Sequence, residues 1–321
     1  MTSTELPFID EDAVKTLISA DDALVEMRKL FAQLSLGMAT NFPVIREMVG
    51  NSVFGVKSGS HVERGLLGLK AGGYFPANAL TGGTKHQSVV MLFDPTTGKP
   101  TALVAGNLIT RLRTAAAAAV SIDLLSRPDA AVLAMIGAGA QAASHARAAC
   151  AVRRFERIVV WNRSPEAARR LTQELATTGT IVEQSPSCEA AVRSADVIVT
   201  LTTATAPVVR AEWVRSGTHL ACMGADTVGK QEMEEALVAK SRVFTDSMDQ
   251  ALSIGECQAG FRKNVFGRSH ITGVLGDILT GRCEGRQDEK QITMFDGTGV
   301  AVQDLVMADL AARRMESGRA S

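Results

Sequence analysis

The stretch "MIGAGAQAASH", residues 135–145, decides how the chain is read. An apolar run, "AVLAMIG" at 131–137, leads into Gly137-Ala138-Gly139-Ala140-Gln141-Ala142 and then into an alanine-rich segment. This is a GxGxxA spacing between a strand and a helix. The first glycine makes the tight turn, the second leaves room for a pyrophosphate, and the alanine lets helix and strand approach. The amides and positive dipole end at the start of the helix favour phosphate. A structural βα turn would use the same glycines, so the flanking sequence has to decide. "RIVVWNR", "DVIVTLTT", "THLACMGAD" and "SRVFTD" read as further strands, and "QAASHARAACAV", "SPEAARRLTQELATTG" and "GKQEMEEALVAK" as helices. Apolar strands alternating with helices of about a dozen residues make a doubly wound parallel sheet that binds a dinucleotide.

Outward from this core the texture changes twice. Residues 10–36 carry Ala13, Leu17, Ala20, Leu24, Met27, Leu30, Phe31 and Leu34 at helical spacing, with a break near Asp21 and Asp22. After Gly37, "NFPVIREMV", "SVFGVKSG", "GLLGLKAG", "HQSVVMLFD" and "PTALVAG" are short segments cut by glycine and proline. Their connections are too short for βαβ units, so they predict an antiparallel or mixed sheet. A helix is expected over "AAAAAVSIDLLS", residues 115–126, and "QITMFDGTGVAVQDLVMADLAARRM" ends the chain as strand, glycine turn and long helix. The predicted fold class is α/β: a Rossmann-type parallel sheet domain over 119–300, a mixed/antiparallel α+β domain over 1–118, and a C-terminal helix, 301–321, returning to the first domain.

Composition limits the function. The 321 residues are 46% apolar, and 34 basic residues balance 34 acidic ones, which gives no electrostatic case for nucleic acid or an anionic membrane. No apolar run approaches the roughly 20 residues of a membrane span, and "MTSTELPFIDEDAV" has neither the basic nor the apolar region of a signal peptide. Five scattered cysteines without a CxxC read as reduced thiols, and the expected location is the cytoplasm. The five histidines show no metal-binding spacing, so no metal is expected.

Several cations stand in apolar, glycine-flanked settings: Arg46 in "VIREM", Lys57 in "FGVKSG", Lys70 in "GLKAGG", and Arg113 beside Arg111 in "LITRLRTAAA". A lone lysine is usually a solvated head on an apolar stem; several in one domain fit a small anionic substrate. Arg113 offers a fixed fork for a carboxylate or phosphate. Asp226 follows an apolar strand, where it either caps a helix or faces a ligand. His86 either orients an amide or water, or is structural. The second strand of the dinucleotide unit ends in Asn162-Arg163-Ser164 rather than the acidic residue usual for NAD, which leaves both NAD and NADP open.

The ordered set "GLK" (68–70), "HQS" (86–88), "LFDPTTGKP" (92–100), "RTAAAAA" (113–119), "IGAGAQA" (136–142), "THLACMGAD" (218–226) and "FDGTG" (295–299) resembles the ornithine cyclodeaminase and mu-crystallin family over nearly the whole chain. The resemblance implies a substrate-binding and dimerisation domain completed by the C-terminal helix, a homodimer, and reduction or formation of an imine with NAD(H), preferred here, or NADP(H). It places catalytic roles on Lys70 and Asp226 and the substrate carboxylate on Arg113; Arg46, Lys57, Lys70 and His86 are the other substrate-contact candidates. Cofactor contacts fall on Arg113, Thr114, Gly137, Gly139, Ala140, Gln141, Asn162 and Arg163, and further on at Thr202, Met223, Asp226, Asp296 and Gly297. The chain departs from the cyclodeaminases: Phe42-Pro43-Val44 replaces Pro-Pro-Arg, with Arg46 two residues on, and the acid those enzymes use for the distal amine has no clear equivalent, the stretch here being "FGVKSGS" with Lys57. Set against the family, this favours a second carboxylate, as in iminosuccinate reduced to L-aspartate. Alanine dehydrogenase, cyclic ketimine reductase and cyclodeaminase activities remain alternatives, as does a non-catalytic NAD(P)-dependent ligand-binding protein of the mu-crystallin kind.

Overall fold

Short glycine-punctuated strands and long alternating βα units build different sheets, and the chain keeps the two kinds in separate units. In a computed structural model, which describes residues 6–319, the chain divides into two units. One is Met1–Arg113 with Val300–Ser321; the other is Thr114–Gly299.

The first unit opens with β1 (Phe8–Ile9), α1 (Glu11–Leu17) and α2 (Ala20–Ser35). The break between the helices lies at Ile18 and Ser19, where Ser19 and Asp22 form a reciprocal capping box. Then follow β2 (Ala39–Asn41), β3 (Ile45–Val49), β4 (Ser52–His61), β5 (Leu66–Tyr74), β6 (His86–Phe93) and β7 (Pro100–Ala105). The sheet order is β1-β7-β6-β5-β4-β2, with β3 also on β4; all pairs are antiparallel except β1 with β7. This is the mixed sheet that the sequence predicts.

The helix expected at residue 115 begins earlier. α3 spans Asn107–Leu125, so Arg113 lies inside it rather than before it. The start is set from far away in sequence: the Glu11 carboxylate accepts the N–H groups of Asn107 at 2.8 Å and Leu108 at 3.0 Å. A carboxylate there satisfies two orphan donors and complements the helix dipole.

The second unit holds β8 (Val132–Ile136), α4 (Ala142–Val152), β9 (Arg157–Trp161), α5 (Pro165–Leu175), β10 (Ile181–Gln184), α6 (Cys188–Ser194) and β11 (Val197–Thr200). It continues with β12 (Thr205–Val209), β13 (His219–Cys222), β14 (Gln231–Met233), α7 (Glu235–Lys240), β15 (Arg242–Thr245), α8 (Met248–Ser253), α9 (Gln258–Arg262), β16 (Ile271–Val274), α10 (Leu275–Leu279) and β17 (Thr293–Asp296). Eight strands form one parallel sheet in the order β10-β9-β8-β11-β13-β17-β15-β16. The direction of winding reverses between β8 and β11, the switch point at which doubly wound sheets bind ligands. "GKQEMEEALVAK" is not one helix. Its first half is β14, paired with β12, because Glu256 takes the amides of Glu232 and Met233 and holds them extended.

The last helix, α11 (Ala301–Arg319), belongs to the first unit and lies on β4 and β5. Two glycines permit this. A Cβ on Gly59 would stand 3.1 Å from Val302, and one on Gly68 would stand 2.8 Å from Leu305. Farther along, Arg314 donates to Asp22 at 2.6 and 2.7 Å and to the Leu17 carbonyl at 2.6 Å. No described helix is long and apolar enough to cross a membrane.

Replacing the remote cap isolates its worth. Glu11→Ala is expected to destabilise the fold by about 1–2 kcal/mol, read as a lower urea midpoint at unchanged m-value. An unchanged midpoint would show that solvent satisfies the start of α3 equally well.

Candidate active site

Lys57 and Lys70 are direct cross-strand partners in β4 and β5. Directly opposed residues in an antiparallel pair share one face, and like charges there repel. Both lysines are buried, as is Arg113. The charge that reconciles them is Asp304, fully buried on α11. Lys70 Nζ lies 2.9 Å from each Asp304 oxygen, and Arg113 Nε lies 3.2 Å from Oδ1. Thr110, one turn before Arg113 on α3, accepts from Lys70 at 3.2 Å and donates to Asp304 at 3.4 Å. Gln303 accepts from Arg113 Nη1 at 3.0 Å. The guanidinium plane is therefore held on two sides, and its other donors have a set direction.

The electrostatics follow from this packing. Burial, the largest influence, lowers the Lys70 pKa; Asp304 raises it, while Arg113 and Arg46 lower it, and the balance stands at about 8. Burial works against the Asp304 charge, but Arg113 and Lys70 outweigh it, with help from Lys57, and hold that carboxyl at about 2. Lys70 and Arg113 thus share one buried carboxylate, and Lys57 adds to the positive surroundings of that acid. Arg46 is half-buried on β3 and close enough to act on Lys70. His86 lies on β6 with Nδ1 3.2 Å from Asn107 Oδ1. That oxygen already accepts the Ser88 N–H, so the network assigns the proton to His86 Nδ1. Burial, then Lys70, pushes His86 down to about 4, so the ring is neutral near pH 7.

The second unit presents a different surface. Gly137 has φ +113°, a conformation L side chains rarely adopt, and a Cβ there would stand 3.0 Å from the Leu201 backbone. This brings the end of β8 against the end of β11. Gly139 has nothing within 4 Å of its Cβ position, and both Gly139 and Ala140 are exposed. Gln141 makes no side-chain cap to α4, so its side chain does not claim the first-turn amides. Open backbone at the start of an 11-residue helix fits the pyrophosphate of a dinucleotide. Asn162 braces this loop: Oδ1 accepts the Ala138 N–H at 3.1 Å, and Nδ2 donates to the Ser164 carbonyl at 3.1 Å. Ser164 caps α5, and Arg163 is exposed beside it. Thr114, the first residue of this unit, is half-buried on α3.

Behind the loop stands a ladder of buried carboxylates. Glu232 accepts from Thr200 Oγ1 at 2.6 Å and from the amides of Thr202 at 2.6 Å and Gly224 at 3.0 Å. Glu256 accepts the amides of Glu232 and Met233, and Asp296 those of Glu256 and Cys257. Burial raises all three pKa values, with Asp296 pushed up to about 7. The Asp296 side chain is thus committed to backbone support. Met223 is buried, with its sulfur 2.6 Å from where a Cβ on Gly297 would stand. Asp226 is half-buried and pairs with Lys230 at 2.6 Å; the carboxylate on Lys70 is that of Asp304. The cysteines are free, and among the described residues no acid, histidine or cysteine cluster is placed to hold a metal.

The fold and these groups define a dinucleotide-linked enzyme family with a cationic partner unit. The chain belongs to the ornithine cyclodeaminase/mu-crystallin family, whose pattern it matches over residues 8–319. It is 44% identical to the iminosuccinate reductase of Paracoccus denitrificans over 302 residues, 94% of this chain and 93% of the relative. The structure of that enzyme in complex with NAD+ aligns with TM-score 0.91 at 42% identity, covering 98% of this chain and 97% of the other. An archaeal alanine dehydrogenase dimer with bound NAD aligns with TM-score 0.93 at 30% identity, covering 98% and 97%. The Thermococcus litoralis Δ1-pyrroline-2-carboxylate reductase in complex with NADH and L-proline gives 0.93 at 28%, covering 98% of each chain.

Sequence reasoning did not single out Thr110, Gln303, Asp304, Glu232 or Glu256. The signal for Asp304 was an acid inside the apolar run "AVQDLVMA". The Lys70 value has a stability consequence. Its folded pKa, about 8, lies below the ordinary 10.5, so between these values the unfolded chain holds a proton that the folded chain has released. The Lys70 contribution to stability therefore rises with pH across that window. Urea denaturation from below to above it is expected to show this rise in the wild type and its loss in Lys70→Met; equal pH dependence in both would place the Lys70 titration elsewhere.

Proposed function

We propose that the chain is an NAD(H)-dependent imine reductase that converts iminosuccinate to L-aspartate, with NADP(H) also accommodated. One observation carries the substrate reading: three buried cations, Lys57, Lys70 and Arg113, gather about the buried carboxylate of Asp304, with Arg46 near Lys70. Such a set lowers its own free energy by taking up anionic charge. The likeness to the Paracoccus enzyme over nearly the whole chain supports the same reading.

Arg113 holds the α-carboxylate, because Asp304 and Gln303 fix its plane. Arg46 and Lys57 hold the second carboxylate, being the cations on the neighbouring strands β3 and β4 of the same sheet. Lys70 Nζ carries a proton at neutral pH and, at about 8, can release it to the imine nitrogen or bond the carboxylate. Neutral His86 fixes the Asn107 amide at the start of α3. The nicotinamide cofactor supplies hydride to the electrophilic carbon. On this reading Gly137, Gly139, Ala140 and Gln141 receive its pyrophosphate, Asn162 shapes the loop, and Arg163 lies where an adenosine ribose or its phosphate would pass. Thr202, Met223, Asp226 and Gly297 line the nicotinamide side, while Asp296 acts from behind through the backbone. Thr114 and, with it, Arg113 are assigned to the cofactor on the same reading.

A homodimer is part of the proposal. Ile45, Met48 and Val49 on β3 are each about 60% exposed, and Phe54 on β4 adds to the same hairpin. A cluster of large apolar groups on one hairpin marks an association surface, and the archaeal relative is a dimer. Met48→Asp is expected to shift the sedimentation profile from dimer to monomer at micromolar protein; an unchanged dimer would remove β3 from the interface.

The substrate test follows NADH loss with oxaloacetate plus ammonia, pyruvate plus ammonia, and a cyclic ketimine, with aspartate as product of the first. Oxaloacetate with ammonia should exceed pyruvate by about 10²-fold or more in kcat/KM, and Arg113→Ala should lose a similar factor. Arg46→Ala should reduce the oxaloacetate reaction while sparing pyruvate. Equal rates with pyruvate would make the enzyme an alanine dehydrogenase. Activity on cyclic ketimines alone would deny the second carboxylate.

A further inference from the structure

The connection from β13 to β14 carries Met223 and Asp226; it is buried through Ala225 and reaches the surface at Val228 and Gly229. Val228 is 64% exposed, and Gly229 turns the chain at φ +86°. Its exposed turn and its far end are held by one short segment, Gly255–Gln258. The backbone of that segment is fixed by Asp296, which accepts the amides of Glu256 and Cys257, each at 3.0 Å. Glu256 then takes the amides of Glu232 at 2.9 Å and Met233 at 2.7 Å and fixes the far end of the connection. Gln258 holds the turn itself.

Gln258 is fully buried. Its Oε1 accepts the Gly229 N–H at 2.8 Å and a guanidinium N–H of Arg262 at 2.9 Å. Its Nε2 donates to the carbonyls of Thr227 at 3.1 Å, Lys230 at 3.1 Å and Gly255 at 2.9 Å. Arg262, which is only a donor, identifies the oxygen end of the amide. Both lone pairs are engaged, and two N–H groups are shared among three carbonyls. A side chain that only filled space would be apolar here, since a buried amide must meet its full hydrogen-bonding demand. The Gln258 amide does for this turn what a strand partner does for a strand: it supplies both donors and acceptors to an otherwise unladdered backbone.

We propose that Gln258 is a positioning residue: by holding Thr227, Gly229 and Lys230 it sets the direction of the Asp226 carboxylate, which Lys230 and Thr227 meet at 2.6 and 3.1 Å. The catalytic half of this inference rests on the reading of Asp226 given above. The conformational half stands on the hydrogen bonds alone.

The test uses full-length Gln258→Leu, with Gln258→Glu as a second variant that keeps the shape and the acceptor for Gly229 but loses the donors. Hydrogen exchange in the 227–230 turn should quicken about tenfold or more, with the β13 amides unchanged. Turnover of the imine substrate should fall about 10²-fold while KM for NADH, and NADH affinity by fluorescence titration, change little. The same substitution in an Asp226→Asn background should then have little further effect, because both act on one group. Val243→Ala, a buried change on β15, controls for general loss of stability. Full multiplication of the two losses, or unchanged exchange at the turn, would overturn the proposal. If wild-type protein turns over none of the imines, the reading of Asp226 falls, while the exchange data still decide whether Gln258 sets the turn.

Discussion

Two lysines facing each other across β4 and β5 are tolerated because one aspartate reaches them from above, and much of the first unit is arranged to let it do so. An Asp side chain is short. For Asp304 to stand 2.9 Å from Lys70, α11 has to lie very close to the sheet. Gly59 and Gly68, cross-strand partners two residues from the lysine pair on the same face, provide that approach. Arg113 completes the cluster from α3, whose start depends on Glu11, a residue from the beginning of the chain. Removing Asp304 would leave several buried cations together, a far larger penalty than a missing surface ion pair.

The second unit handles buried charge in another way. Glu232, Glu256 and Asp296 are met by backbone amides and a threonine hydroxyl. A carboxylate accepting two or three N–H bonds can replace a strand partner where the chain leaves the sheet. The loops after β11 and β13 need such support because a ligand-binding edge cannot be closed by further strands. The two units thus use acids oppositely: Asp304 gathers cations, whereas the ladder gathers amides.

This contrast explains what the sequence made legible. Periodicity and glycine spacing carry local information, and they located the GxGxxA turn, the parallel strands around it, the glycine-cut strands of the first unit and the final helix. They failed where a distant side chain sets the structure. α3 begins at Asn107 because Glu11 caps it, and nothing near residue 107 announces that. β14 is extended because Glu256 holds it, against the helical pattern of "GKQEMEEALVAK". β10 escaped notice because it is an edge strand with Ile181 67% exposed, so its sequence lacks the apolar run of its neighbours. In the candidate site, Lys70 and Arg113 were conspicuous as cations in apolar settings. Asp304, Thr110 and Gln258 acquire meaning only from partners 40 to 234 residues away or from the turn they hold.

A protein selected for stability alone would replace the Lys57, Lys70 and Arg113 set by apolar side chains, since buried ionic clusters seldom outdo good packing. The cluster is also asymmetric about its acid, with Lys70 and Arg113 both meeting the one Asp304 carboxylate. That asymmetry is unfavourable for the protein by itself and favourable once an anion joins it. The same packing depresses Lys70 toward neutral pH, because burial together with Arg113 and Arg46 acts against Asp304. Anion affinity and proton-transfer capacity are therefore not separate features added to the fold. Both follow from setting two lysines opposite each other on one sheet beneath one short, buried acid.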